Sequence, residues 1–354
     1  MSDDELGALI AALCEAIEHG GHLPGQQLFV DQLLDAVGRS HPEVGVVLGA
    51  ALIGQREAVA QSWGRALLSR GTASQVAPID VATYFQKPPE VDVLLLTVKV
   101  VEYEAAQRAF GIQPGSFARR LGRGDEMFIA ERDGRTFGIA MIGFAGNVES
   151  AMRMAELLSS VRFKSAILVG MAAGRRSEVD LGDVVIAESV IAYEYMTLKP
   201  DEVIYSPVVH TVPRKRIRQA RTMHQVDPHW SARLRSEIMS CSDFAGVPAD
   251  SERQLDENWE CEVATGAVLA GARLVENGSI PFLSQQLSDR VKAVEMEGAG
   301  FAAMCTEFDV DWLVVRGIAD FGEPERSKGW QFPAAYAAAA FVRDGLGNGR
   351  LNLT

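Results

Sequence analysis

The chain has 354 residues, enough for roughly two domains of ordinary size and an ample core. It carries 47 Asp and Glu against 34 Lys and Arg, a formal net charge of −13. That field repels nucleic acid and argues against wholesale duplex binding, although a local basic patch could still hold phosphates.

No apolar run reaches the roughly 18–20 residues of a membrane span. The start MSDDELGALIAALCEAI is acidic where a signal peptide would be basic. Cys14, Cys241, Cys261 and Cys305 form no CxxC pair, so reduced thiols and a cytoplasmic location without membrane contact are expected. Residues 1–75 read as a separate helical domain. Ser2 and Glu5 have capping-box spacing, and Leu6, Leu9, Ile10, Leu13 and Ile17 follow at helical intervals. HGGHLPG breaks that helix, a second runs through Val30, Leu33, Leu34 and Val37, and helical pattern resumes from Pro42 to Leu68. His19, His22 and His41 lie in loop-like contexts without metal-ligand spacing and read as solvated. With amphipathic helices and no chemistry, this segment is expected to serve association with a protein partner. Residues 76–90, with Pro78, Pro88 and Pro89, read as a linker.

From Val91 the pattern changes. Short β-branched runs (VDVLLLTV, FGIAMIGF, AILVGM, DVVIAESVIAY, ATGAVLA, VKAVEM, WLVVRGIAD) alternate with helical stretches at 102–110, 148–159, 284–287, 298–308 and 334–346. Residues 91–350 therefore predict an α/β domain with a mainly parallel central sheet flanked by helices. In such sheets a ligand sits beyond the carboxyl ends of the strands, where Glu102, Gly146, Met171, Glu297 and Asp320 all fall. Between Tyr193 and Glu262 the pattern dissolves into a long irregular segment. Within it PRKRIRQAR places Arg214, Lys215, Arg216, Arg218 and Arg221 close together. This run reads either as a solvated face or subunit contact, or as a phosphate-binding clamp over the substrate, with Arg214, Arg216 and Arg218 as its guanidinium forks.

AVEMEGAGFAAMC (Ala293–Cys305) puts a Met between two glutamates at a strand-to-helix junction, and VVRGIAD (Val314–Asp320) ends the next apolar strand on an Asp. Breaking a bond between ribose and a purine suits such a pair. Glu297 could accept hydrogen bonds from both the 2′- and 3′-hydroxyls, because an ionised carboxylate only accepts. Asp320 could carry a proton to the departing base. Glu295 reads as structural. No Walker A, Rossmann, HExxH or GxSxG pattern appears and the histidines do not cluster, so no cofactor and no metal are expected.

The order of these segments, together with IGFAGNVESAMRMAELL, AILVGMAAG and LGDVVIAE, resembles the nucleoside phosphorylase superfamily over Val91–Leu346, in particular its hydrolase branch of methylthioadenosine/S-adenosylhomocysteine nucleosidases. The resemblance implies that Asp320 protonates the purine and Glu102 positions the attacking water, with Glu104 the competing choice. It implies ribose binding by Glu297, sugar packing by Met296, close backbone approach by Gly146, and base holding by Leu269 and Ala270. The family commonly has Ser before the catalytic Asp; here it is Ala319. The phosphorylases carry arginines where this chain has Lys99, Glu102 and FAGNV, so water is the expected nucleophile. Residues 1–75 resemble, in size and position, the effector-associated adaptor domains of bacterial defence proteins. The expectation is a homo-oligomeric purine N-ribohydrolase, adenine-type favoured, acting on a nucleoside or nucleotide. The alternatives are a phosphate-dependent phosphorylase and a non-catalytic nucleotide-sensing module.

Overall fold

The computed structural model describes residues 88–112, 119–121, 126–200, 202–223, 227–241, 244–273, 275, 278–324 and 328–347. These fall within one compact unit, Pro88–Thr354. The helices expected over 1–75, and the expected linker up to residue 87, lie outside the described residues.

The first half of the unit runs β1 (Val93–Thr97), α1 (Val100–Ala109), β2 (Arg119–Arg120), β3 (Glu126–Arg132), β4 (Arg135–Met141), α2 (Asn147–Ser160), β5 (Ser165–Gly174) and β6 (Val184–Ala192). All five residues of β1 are buried. A strand with helices over both faces must be apolar throughout, which is why VLLLT shows no alternation. β3 has the opposite character, exposed and buried by turns, as suits an antiparallel strand near a sheet edge.

The segment that reads as irregular is in fact built of short elements: β7 (Met196–Leu198), β8 (Val203–Tyr205), β9 (Val208–Thr211), α3 (Arg214–Met223) and α4 (Trp230–Ser240). Its strands are three or four residues long and mostly exposed, too short to show a period. In α3 the apolar anchors are Ile217 and Ala220, too few to give its sequence a helical stripe. The chain continues through β10 (Val263–Ala270), α5 (Ile280–Leu287), β11 (Val291–Glu295), α6 (Gly298–Glu307), β12 (Asp311–Asp320) and α7 (Gln331–Gly347).

The expected parallel core is present in two blocks. β12, β5, β1 and β4 run parallel, as do β6, β10 and β11. Antiparallel joins, β12 to β6 and β11 to β5, link the blocks. Following the pairings β5–β12–β6–β10–β11 and back to β5 traces a closed ring of five strands. The return pairing is Ala293 with Gly174 and Val294 with Ala173, so the last residues of β11 lie against the end of β5. One bulge matters for function. The β12–β5 register shifts between Ile318 and Asp320, leaving Ala319 out of the pairing. A bulge re-aims the next side chain.

The helix α7 covers β12 because its face is nearly all alanine, with Ala334, Ala335 and Ala337–Ala340 buried. Gly317 makes the approach feasible: a Cβ there would overlap the carbonyl oxygen of Ala334. Gly317→Ala is therefore expected to lower the unfolding free energy by about 1–3 kcal/mol or more, as overpacking does. Urea titration measures this; an unchanged midpoint would mean that α7 can retreat at no cost.

Candidate active site

Glu102 is the third residue of α1 and is buried. Its Oε2 accepts the N–H groups of Val98 and Lys99 at 2.8 and 2.9 Å, and its Oε1 accepts the Met171 N–H at 2.8 Å. Three fixed donors lock the carboxylate and leave acceptor capacity on Oε1 for a further donor. Gly170 makes room for it, since a Cβ there would collide with both the Glu102 carboxylate and the Arg316 guanidinium. Glu104, one face round the same helix, is exposed.

Glu295 and Glu297 stand at the junction of β11 and α6. The Glu295 carboxylate accepts the N–H groups of Glu297 and Gly298 at 3.1 and 2.9 Å, satisfying donors of the helix N-terminus. This is the structural role its position implied. Glu297 Oε1 accepts the Gly146 N–H at 3.0 Å, with Gly146 at φ +130° opening α2. A neighbouring side chain completes the bracket: Asn147 Oδ1 accepts from Ala299 and Gly300 at 3.0 and 3.1 Å. The two helix N-termini are thus fastened together on either side of Glu297.

Arg316, from the middle of β12 and fully buried, donates through Nη2 to Glu295 and, at 3.4 Å, to Glu297. Burial pushes the Glu297 carboxyl up to about 7, the charge of Glu295 adds to the rise, and Arg316 opposes it. Asp320 ends the same strand, where its Oδ1 accepts the Gly322 N–H at 2.8 Å. That backbone donor orients the carboxylate at a position where Ala319 supplies none.

These groups converge on one cavity of about 260 Å³, whose lining includes Glu102, Glu295, Met296, Glu297, Ala319 and Asp320. Ala319 and Asp320 are consecutive yet both line it, which the bulge explains. Ala145 lines the cavity beside Gly146, and Met171 through Ala173 form a wall. Lys99 and Arg273 bring cations to its rim, both exposed.

Two expected groups fall elsewhere. Leu269 and Ala270 do not line the cavity; they are buried within β10, and Leu269 packs with Ile191, Tyr193 and Leu283. Their strand positions face packed core, and Val275, further along the chain, lines the cavity instead. Arg214, Arg216 and Arg218 also lie apart from it. Arg216 turns inward to pair with Asp311, while Arg214 and Arg218 line a separate groove. Arg316 and Asn147 are parts of the site that were not expected from the sequence. A charged residue inside WLVVRGIAD was itself the signal, because a buried guanidinium requires carboxylate partners.

The chain belongs to the phosphorylase superfamily, which it matches over residues 100–340. Among its relatives is an ATP nucleosidase, Cap17, of Escherichia coli (strain KTE188), 30% identical over 264 residues, covering 73% of this chain and 51% of that protein. The chain thus spans about half the length of that relative. A 5′-methylthioadenosine/S-adenosylhomocysteine nucleosidase of Mycobacterium tuberculosis (strain CDC 1551 / Oshkosh) is 24% identical over 181 residues, 49% of this chain and 66% of that one. In fold, the chain is similar to the corresponding nucleosidase of Neisseria meningitidis, solved in complex with methylthio-immucillin-A. The TM-score is 0.53 at 19% identity, over 73% of this chain and 99% of that one.

Native Glu297 keeps its proton between the ordinary 4.5 and about 7, where the unfolded chain has lost it, so this group's contribution to stability falls as pH rises across that window. Glu297→Gln should flatten that fall. Urea midpoints for both proteins at about pH 5 and about pH 8 test this, and parallel pH profiles would mean that Glu297 ionises without cost.

Proposed function

We propose that this chain is an N-glycosidic hydrolase that cleaves a purine nucleoside or nucleotide, with adenine as the favoured base. The observation that carries the reading is the convergence of Glu102, Glu297 and Asp320, from three distant segments, on one cavity. Bond cleavage builds positive charge on the ribose and negative charge on the base, so it needs carboxylates by the sugar and an acid by the base. Glu297, held by Gly146 and Arg316, accepts from the ribose hydroxyls. Met296 packs against the sugar. Glu102, locked by three backbone donors, accepts from the attacking water and aims it at the anomeric carbon. Asp320, oriented by the Gly322 N–H, gives its proton to the leaving base.

Water is favoured over phosphate as nucleophile because the cavity lining is rich in carboxylates and the buried guanidinium of Arg316 is already paired with Glu295 and Glu297. Lys99 and Arg273 are the cations this cavity offers to a 5′-phosphate. The relative described as an ATP nucleosidase supports an adenine nucleotide as one substrate. The described cysteines are free, Cys261 and Cys305 buried, and no helix among the described residues is long and apolar enough to cross a membrane. Both facts fit a cytoplasmic enzyme. Exposed Tyr195 and Leu198, beside and on β7, fit contact with a second copy. Residues 1–75 are read as the partner-binding segment of a defence effector.

Incubation with nucleosides and nucleotides, with and without inorganic phosphate, and product identification by mass tests the assignment. Free base with ribose or its 5′-phosphorylated form is expected without added phosphate; strict phosphate dependence yielding ribose-1-phosphate would overturn it. Asp320→Asn should lower kcat by about 10²–10⁴-fold with little change in binding, the span of general acid catalysis. Glu297→Gln should impair both KM and kcat. Near-normal kcat in Asp320→Asn would remove Asp320 from the acid's role.

A further inference from the structure

The basic run lies on α3, and the fold divides its work. Arg216 is buried and fastens the helix to Asp311 at the start of β12. Arg214, Arg218 and Arg221 instead line a groove of about 780 Å³ together with Arg290 and Glu188. Its lining shares no residue with that of the catalytic cavity. Arg290 precedes β11 and Glu295 ends it, so the two sites lie at opposite ends of one strand, roughly 16 Å apart at the usual rise per residue.

Among the described residues that line it, four carry guanidinium groups and one a carboxylate, on a chain whose net charge is −13. The groove is also built rather than merely charged. Glu188 sits where the β6–β10 register shifts, outside that pairing, and its carboxylate bridges Arg221 and Arg290. The Arg221 Nε donates to Thr265 at 2.8 Å. The Arg221 and Arg290 forks are therefore held before any ligand arrives, which removes part of the ordering cost of binding. Arg214 opens α3, which has no acidic residue in its first turn. Cations at the positive end of a helix dipole repel it, and an anion between them relieves both.

We propose that this groove is a second binding site, for a chain of two or three phosphates, separate from the catalytic cavity. Planar guanidinium forks match phosphate oxygens in pairs, and several forks around one groove suit a linear oligophosphate better than a single ion. Such a chain could arrive free or as part of a nucleoside triphosphate.

Calorimetric titration of the full chain with inorganic triphosphate is the test. Arg214→Gln should weaken binding roughly tenfold or more, as the loss of a charge-assisted contact does. Lys215→Gln removes the same charge from an exposed neighbour that does not line the groove, and should have a much smaller effect. Lys99→Gln, at the catalytic cavity, should weaken triphosphate binding much less than Arg214→Gln does. The proposal falls if the unmodified chain does not bind triphosphate. Equal weakening by Arg214→Gln and Lys215→Gln would show a diffuse field rather than a site, and greater weakening by Lys99→Gln would place the chain in the catalytic cavity; either result also overturns it. Uridine triphosphate as a second probe separates the sources. Affinity equal to that of triphosphate assigns the groove to the chain alone, and a tighter, Arg214-sensitive affinity assigns it to a nucleotide; both uphold the site.

Discussion

Arg316 lies in the middle of β12 without solvent exposure, and the charges of Glu295, Glu297 and Glu102 all act on it. Three carboxylates so close together in a low-dielectric interior repel one another. The guanidinium pairs directly with two of them, and both it and the Glu102 carboxylate occupy the space that a Cβ at Gly170 would take. Removing one partner from such a buried group typically costs about 3–5 kcal/mol, because the remaining charge is left uncompensated. The carboxylates of Glu295 and Glu297 both take their counter-charge from this one side chain.

The rest of the fold exists to let these groups meet. Gly170 admits the Glu102 and Arg316 side chains, Gly300 lets α6 pass against the backbone of Asn147, and Gly317 lets α7 lie on β12. In each case the missing Cβ stands where another group already is. The ring of five strands then fixes the angle between β11 and β12, so that Glu297 and Asp320 look into the same space.

Much of this was legible in the sequence. The buried strands β1, β5, β6 and β12 announce themselves as continuous β-branched runs, and Glu102, Glu297 and Asp320 follow from carboxylates placed just past strand ends. The exposed strands β7 to β9 were not legible, because three or four exposed residues carry no period. Leu269 and Ala270 were misplaced for a related reason: an apolar residue near a strand end reads alike whether it faces a cavity or the core, and only the packing of β10 against its neighbours decides. Asn147 was hidden because its partners, Ala299 and Gly300, lie 152 and 153 residues away. The basic run was readable as cationic, but the direction of each arginine depended on where Asp311 and Glu188 came to rest.

The position of β12 in the ring has a consequence for how the protein is made. This strand lies between β5 and β6 and supplies both Arg316 and Asp320. A nascent chain that has not yet released residues 311–320 from the ribosome holds β5 and β6 with unpaired edges, and Glu295 and Glu297 without their counter-charge. Domains fold as units during synthesis at about 5–20 residues per second, so Glu297 and Asp320 cannot face each other until this strand inserts. The cavity therefore comes into being only when this strand inserts between β5 and β6.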